Sequence, residues 1–474
     1  MRRYAFAAAA GVALAASPAS AAITLLAKGV LSGTTDLSGL SGTLESGVNQ
    51  NVLGGIGSGL AYAGGNTFIA IPDRGPNAVS YGTNLVDNTT SYISRFHTLD
   101  IALTNAPSGG LPFTVTPTLV STTLFSSQTP LVYGTGAGLN VGSGVPTQNG
   151  PGVYYFTGRS DGYDASANTA NPTDARFDPE SIRVSNDGKS LFVSDEYGPY
   201  VRQFDRETGQ LIKTFTLPDN LAAANPKPTE TQEIGGNTSG RTSNKGMEGL
   251  AITPDGKTLV GIMQANLLDD PVGTVRIVKI DIATGATTEY AYKLTTGKGV
   301  SDIVAINDHQ FLVDERDSKG LGDGSKAVVK QIFQIDLNGA TDVTNTPGSG
   351  LAAATAVQKS ALPFVDLVSA LTALGIKPAD IPAKIEGMTF GQDVTYLGQL
   401  YHTLYLANDN DFVPGTAGPN QFFVFGFTDA DLAGYKAQSV AALPEPGTWM
   451  TMIAGFGVIG SALRRRRRLS VSFG

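Results

Sequence analysis

One pattern recurs through the chain and restricts its architecture more than any other feature. A short apolar stretch is followed by a tight turn, a second apolar stretch and a group of acidic residues. Gly59-Leu60-Ala61-Tyr62 leads through Gly64-Gly65-Asn66 and Thr67-Phe68-Ile69-Ala70-Ile71 to Pro72-Asp73-Arg74-Gly75. Pro179-Glu180-Ser181-Ile182-Arg183-Val184 leads through Asn186-Asp187-Gly188 and Leu191-Phe192-Val193-Ser194 to Asp195-Glu196. Met247-Glu248-Gly249-Leu250-Ala251-Ile252 is followed by Pro254-Asp255-Gly256 and Leu259-Val260-Gly261-Ile262. Two further copies start at Val300-Ser301-Asp302 and Ile385-Glu386-Gly387, and end at Asp314-Glu315-Arg316-Asp317 and Asn408-Asp409-Asn410-Asp411. Alternation of apolar and polar residues is the period of a half-buried strand. Asn-Asp-Gly, Pro-Asp-Gly and Thr-Gly are turn chemistry, because glycine takes positive φ without a steric penalty.

Each copy continues into more alternating strands, such as Val275-Arg276-Ile277-Val278-Lys279-Ile280-Asp281 and Gln421-Phe422-Phe423-Val424-Phe425. About four strands per copy, repeated along one chain, predict an all-β propeller of about six blades of four-stranded antiparallel sheet. Residues 92–125 read as the outer strands of the first blade, and 132–158 as a further blade or a long loop. Apolar residues at helical spacing between Leu362 and Leu374 predict a short helical insertion. The 58 glycines among 474 residues suit so many turns. The absence of cysteine excludes disulfides, thiolate metal sites and cysteine nucleophiles.

The ends read as sorting segments flanking a domain at 22–442. Arg2 and Arg3, the apolar run from Tyr4 to Ala16 and the small residues Ala19-Ser20-Ala21 form a signal peptide over residues 1–21, the substrate of signal peptidase. At the other end Pro444-Glu445-Pro446 precedes an apolar stretch, 447–463, and the basic block Arg464 to Arg468. An apolar helix closed by arginines halts transfer across a bilayer. Residues 443–468 resemble the PEP-CTERM sorting signal of Gram-negative bacteria. That resemblance implies an exosortase as partner, transient residence in the inner membrane through 447–463, and release to the cell envelope surface or the medium. Seven of the 33 Lys and Arg but only one of the 41 Asp and Glu, Glu445, lie in these ends, leaving 26 bases against 40 acids. So acidic a body argues against nucleic acid as a partner.

In a propeller the innermost strands line a central channel, and their equivalent positions converge at one end. Glu180, Glu248, Asp302 and Glu386 are expected there, with Asp73, Asp195, Glu196, Asp314 and Asp409 at the ends of the adjoining strands. Crowded carboxylates raise one another's pKa, and Ca²⁺, which takes six to eight oxygens, would neutralise them. Arg74, Arg183, Lys245, Arg316 and Lys384 lie beside the acids in the sequence and suit a phosphorylated ligand or internal ion pairs. The segments Arg176-Phe177-Asp178-Pro179-Glu180, Ser194-Asp195-Glu196-Tyr197-Gly198-Pro199, Asn244-Lys245-Gly246-Met247-Glu248-Gly249, Pro72-Asp73-Arg74-Gly75-Pro76-Asn77 and Lys384-Ile385-Glu386-Gly387 closely resemble the phytase-like family, labelled esterase-like activity of phytase. The resemblance covers roughly Gly57 to Phe427. It implies a propeller that hydrolyses phosphoesters or esters, with Asp73, Arg74, Glu180, Asp195, Glu196, Lys245, Glu248, Glu386 and Asp409 as motif residues.

The expected function is thus a secreted, Ca²⁺-dependent phosphomonoesterase or esterase acting on a small substrate. Glu180 or Glu248 would be the base, and Arg74 and Lys245 would stabilise developing charge. Asp73, Asp195, Glu196, Asp302, Asp314, Glu386 and Asp409 would be metal ligands. A non-catalytic surface propeller that binds matrix, and a sugar-lactone-type hydrolase, stay open. Other chemistries are poorly served. Gly158-Arg159-Ser160-Asp161-Gly162 has the spacing of a nucleophile elbow without a convincing helix after it. His97, His309 and His402 are scattered and lack metal-ligand spacing.

Overall fold

The computed structural model describes residues 23–78, 89–106, 110–133, 144–160, 171–227 and 230–441. The signal segment 1–21 and the sorting segment 443–468, with its expected spanning helix, lie outside the described residues. Among the described residues no helix is long and apolar enough to cross a membrane.

Among the described residues five sheets form blades, not about six; each is built on four antiparallel strands, two of them carry a fifth short strand, and a sixth sheet has only two short strands. Blade 1 comprises Gly59–Tyr62, Thr67–Ile71, Arg95–Asn105 and Phe113–Leu124, so residues 92–125 do supply its outer half. Blade 2 comprises Pro179–Val184, Ser190–Asp195, Tyr200–Asp205 and Leu211–Phe215. Blade 3 comprises Met247–Ile252, Thr258–Met263, Thr274–Asp281 and Thr287–Lys293. Blade 4 comprises Gly299–Ala305, Gln310–Arg316 and Lys330–Asp336, with Gln358–Lys359 and Val365–Asp366 sharing the outer edge. Blade 5 comprises Lys384–Phe390, Gln399–Asp409 and Asn420–Phe427. Its outermost strand is Thr24–Leu31, from the other end of the domain, paired antiparallel to Asn420–Phe427. That pairing closes the ring. The stretch expected as a possible sixth blade gives only Tyr154–Tyr155, laddered to Ser126–Ser127. The helical insertion is Leu367–Ala373, N-capped by the Asp366 carboxylate, which accepts from Ser369 N.

Local sequence explains the blades. In blades 2 and 3 the third and fourth strands are joined by the same turn, Asp205 to Gly209 and Asp281 to Gly285. Each aspartate accepts from the backbone and hydroxyl of the threonine three residues on, and the glycine follows at φ 72° or 75°. Apolar faces of adjacent blades pack on each other, so the core is a set of inter-blade layers. Between blades 1 and 2, Phe96, Phe125, Phe156, Phe177 and Phe204 form one aromatic stack with centroids 4.4–5.7 Å apart.

The channel is plugged. Arg183 of blade 2 reaches across it and donates through Nη2 to both carboxylate oxygens of Asp302 in blade 4, at 2.9 and 2.8 Å. Arg183 Nη1 also donates to Leu60 O of blade 1 (2.7 Å). Asp302 accepts in addition from Ser181 Oγ (2.9 Å) and from Met388 N of blade 5 (3.0 Å). Ser194 Oγ of blade 2 donates to Glu248 O of blade 3 (3.3 Å). One buried network therefore ties the innermost strands across the axis.

Residues 428–441 leave blade 5 and cross the channel end remote from the acids. Lys436 N donates to Ile306 O, Gln438 Nε2 to Val184 O and Ala441 N to Asn186 O. Where this strap starts, His402 lies between Asp393 (Nδ1–Oδ1 2.8 Å) and Asp429 (Nε2–Oδ1 3.1 Å). Burial works against its charge, yet the two carboxylates prevail and raise its pKa. A raised histidine adds stability fully present below the unfolded value of about 6.5 and lost as pH climbs through the higher native value. His402→Gln should therefore destabilise the protein by up to about 1 kcal/mol at about pH 6 and much less at about pH 8.5, because the partners are exposed. Urea melts at the two pH values check this; equal losses at both would contradict it.

Candidate active site at the acidic mouth

Hydrogen-bonded registry sets which residues face the channel mouth. In blades 2 to 5 the register of the two innermost strands slips at one place, between Pro179 and Ile182, Met247 and Gly249, Val300 and Ile303, and Ile385 and Gly387. A bulge re-aims the side chain it carries. The first residues inside these slips are Glu180, Glu248, Ser301 and Glu386, so three carboxyls converge; in blades 2 and 4 the slip holds a second residue, Ser181 and Asp302. Asp302 falls one position later, and that single step turns it down into the plug instead of up to the mouth. Its expected place as a rim metal ligand is corrected accordingly.

A second tier comes from the ends of the second strands: Asp73, Glu196, Gln264, Arg316 and Asp409. Arg316 stands beside Ser301 and fills the space a fourth glutamate would take. Its Nε donates to Ser301 Oγ, and its Nη2 donates to Glu386 Oε1 (2.6 Å) and Glu248 Oε1 (3.3 Å). Gln264 Nε2 also donates to Glu248 Oε1, at 3.0 Å. Glu248 and Glu386 thus share one guanidinium.

The blade 2 side lacks such neutralisation. Asp178, Glu180 and Glu196 are all buried and bring carboxylate oxygens within 4.8 Å of one another. Glu196 also meets Glu248 side chain to side chain. Glu196 Oε1 and Glu248 Oε2 are buried without any hydrogen-bond partner. Burial first, then Asp178, Glu248 and Glu196, push the Glu180 carboxyl far above its ordinary range. Burial and Glu196 do the same to Glu248, and burial with Asp178 lifts Glu196 to about 7. Arg74 and Arg241 are the nearby cations, and Arg74 bonds the group. Its backbone N and Nη1 donate to the two oxygens of Asp178, both at 3.0 Å, and Nη1 also donates to Asn244 Oδ1.

A second acidic group spans blades 5 and 1. Asp73, Asp409 and Asp411 again bring oxygens within 4.8 Å. Here Lys384 Nζ already sits among them, donating to Asp409 Oδ2 (3.1 Å) and to Asp411 Oδ1. Asp411 and Phe412 both hold left-handed backbone, φ 52° and 57°, which brings Asp411 N to Asp409 Oδ1 (2.8 Å). Burial raises Asp73 to about 7, against the pull of Lys384.

The other expected site residues lie elsewhere. Asp195 pins the chain: it accepts from Asp178 N (3.2 Å) and Tyr197 N (2.7 Å) and pairs with Arg202, so it positions the acids beside it. Asp314 is buried near Lys330 and Arg316, and burial raises it to about 8; it belongs to neither acidic group. Lys245 is exposed, between Asn244, which holds Arg74, and Gly246, which packs on Glu196. Each histidine has a local partner: Thr122 for His97, Asp336 for His309 and the two aspartates for His402. Ser160 hydrogen-bonds Thr89, and 161–170 lie outside the described residues. The sequence reading passed over Asp178. Its place two residues ahead of Glu180, just before a bulged strand, was the available signal.

Gly158 fixes how close Arg74 comes. A Cβ there would stand 1.6 Å from Arg74 O. Gly158→Ala should force Arg74 off Asp178 and lower stability by about 1–3 kcal/mol. A thermal melt with unchanged stability would contradict that contact.

A family model described as phytase-like, esterase-like activity of phytase, matches residues 51–412, which include both acidic groups. The chain belongs to the phytase-like family. An uncharacterized secreted protein of Arthroderma benhamiae is 31% identical over 249 residues, 47% of this chain and 46% of that protein. The match thus spans about half of that curated relative. Among solved structures, a luciferin-regenerating enzyme aligns at 11% identity over 82% of this chain and 97% of its own, with a TM-score of 0.34. A putative 6-phosphogluconolactonase from Bacteroides uniformis aligns at 14% identity over 77% and 85%, with a TM-score of 0.29. At these scores the likeness says nothing of this phytase-like chain's chemistry.

Proposed function

We propose that this phytase-like protein is an exported, Ca²⁺-dependent hydrolase of phosphomonoesters or esters, working at the acidic mouth of its propeller. The observation that carries the reading is the buried group Asp178, Glu180 and Glu196 with Glu248 beside it, in which Glu196 Oε1 and Glu248 Oε2 have no hydrogen-bond donor. Export is supported by the signal-like N-terminus and by the secreted relative. Signal peptidase, then an exosortase acting on 443–468, would deliver the body to the surface of a Gram-negative envelope or the medium.

The donor set is all oxygen, which fits a hard cation of the Ca²⁺ type. Asp178, Glu196 and Glu248 would hold it, and when bound it would supply a Lewis acid. The remaining work falls to the chain. Glu180, the most exposed of the four at 8%, faces incoming water and takes its proton as the general base. Arg316 and Gln264 hold Glu248 still. Arg74, oriented by Asp178 and Asn244, presents positive charge beside the reacting group, and the exposed Lys245 reaches a substrate anion from the rim.

The test is turnover by the purified protein of phytate, p-nitrophenyl phosphate, p-nitrophenyl acetate and a sugar lactone, each with Ca²⁺ and with chelator. Phosphate or ester hydrolysis that needs Ca²⁺ is expected. Lactone turnover alone would replace the reading by a lactonase, and none at all by a binding propeller.

A further inference from the structure

We infer that the mouth takes one divalent cation, not two, because the Lys384 ammonium occupies the second acidic group as a built-in cation. The inference rests on the metal-dependent reading above and fixes its stoichiometry.

The two groups have the same donor chemistry and differ in what is already inside them. In Asp73, Asp409 and Asp411, Lys384 Nζ bonds two of the three carboxylates from the first position of the innermost strand of blade 5. Its charge is supplied by the chain. The neighbouring Asp73 carboxylate is satisfied by Gly75 N at 2.8 Å. In the Asp178, Glu180 and Glu196 group no lysine enters. Of the three carboxylates Arg74 bonds only Asp178, and Arg74 and Arg241 act on Glu196 through their charge. Two buried oxygens that border it, Glu196 Oε1 and Glu248 Oε2, accept nothing. Both glutamates are only 2% exposed, so bulk water does not satisfy them. An unpaired buried carboxylate oxygen is expensive, and a cation at this place would meet oxygens of Asp178, Glu196 and Glu248, with Glu180 beside it. The same electrostatic need is therefore met in two ways: by a covalently attached ammonium between blades 5 and 1, and by a free ion at blades 2 and 3.

Removing the ammonium should create the second site. Lys384→Met keeps an unbranched side chain, one atom shorter and uncharged, and removes the ammonium from the three clustered carboxylates, which is what a divalent ion needs. Calorimetric titration of the purified protein with CaCl₂ should give one ion per chain for wild type, two for Lys384→Met, one for Lys384→Arg and none for Glu196→Gln. Two ions in wild type, or one in a folded Lys384→Met, would overturn the inference. If Lys384→Met is too unstable to titrate, its melting temperature in Ca²⁺ reads the same point. A gain on adding Ca²⁺ clearly larger than that of wild type supports the second site, and an equal or smaller gain overturns it. No binding to wild type, together with no Ca²⁺-dependent turnover, would instead remove the metal-dependent reading on which the inference stands.

Discussion

Asp302→Ala should destabilise the protein by about 3–5 kcal/mol, the usual loss when one partner of a buried ion pair is removed. The variant leaves the Arg183 guanidinium in the channel, facing Leu60 O and Ile303 O with its counter-charge gone. It also deprives Ser181 Oγ and Met388 N of their acceptor. Since the pair joins blades 2 and 4 and its hydrogen bonds reach blades 1 and 5, the loss should appear as cooperative unfolding of the whole ring at lower urea. The double variant Arg183→Met with Asp302→Leu should recover most of the loss, because two apolar side chains need no partner. Asp302 faces the plug, so Asp302→Asn should leave Ca²⁺ affinity unchanged while lowering stability. A loss of Ca²⁺ binding without a loss of stability would return Asp302 to the mouth.

Glu180→Gln should cut kcat by about 10²–10⁴-fold, the range for removing a general base. The same substitution should raise, not lower, the stability of the Ca²⁺-free protein. The sign follows from the titration. Glu180 has a raised native pKa, so the native state binds a proton more tightly than the unfolded chain, and stability falls as pH rises from the unfolded value of about 4.3 through the native one. At neutral pH the carboxyl is a net burden, pressed by burial, Asp178, Glu248 and Glu196. A neutral amide of the same shape removes it. Melting in chelator at about pH 8 should show Glu180→Gln above wild type, with the difference shrinking toward about pH 5. Unchanged kcat would reject Glu180 as the base. A lower melting temperature in chelator would reject the account of crowded, unneutralised carboxyls.

Much of the propeller was legible because its signals are local. Asn186-Asp187-Gly188 and Pro254-Asp255-Gly256 turn where glycine and aspartate allow, and Phe113–Leu124 opens with buried and exposed residues in the simple period of two. What escaped is non-local. Nothing near Thr24–Leu31 tells that it completes a blade whose other strands lie nearly four hundred residues on; ring closure decides that. Without that closing strand, and with 132–158 still available as a blade, the count came out one too high. The acids show the same division. Glu180, Glu248 and Glu386 could be aligned by eye, since each precedes a small residue and then an apolar one. Asp302 looked equivalent, yet a bulge counts residues by hydrogen bonds, and Ser301 holds the matching place. Arg316 and Lys384 could be named as bases, but not that one would replace a missing carboxyl and the other a metal ion. Those roles depend on neighbours contributed by other blades.

The most direct test of the acidic mouth as a metal-dependent catalytic centre is the rate of p-nitrophenyl phosphate or ester hydrolysis as free Ca²⁺ is varied. The account predicts a rate that rises and saturates with one bound ion, falls to background in chelator and returns when Ca²⁺ is restored. Turnover that is indifferent to Ca²⁺, or that persists at the wild-type rate in Glu180→Gln, would contradict it.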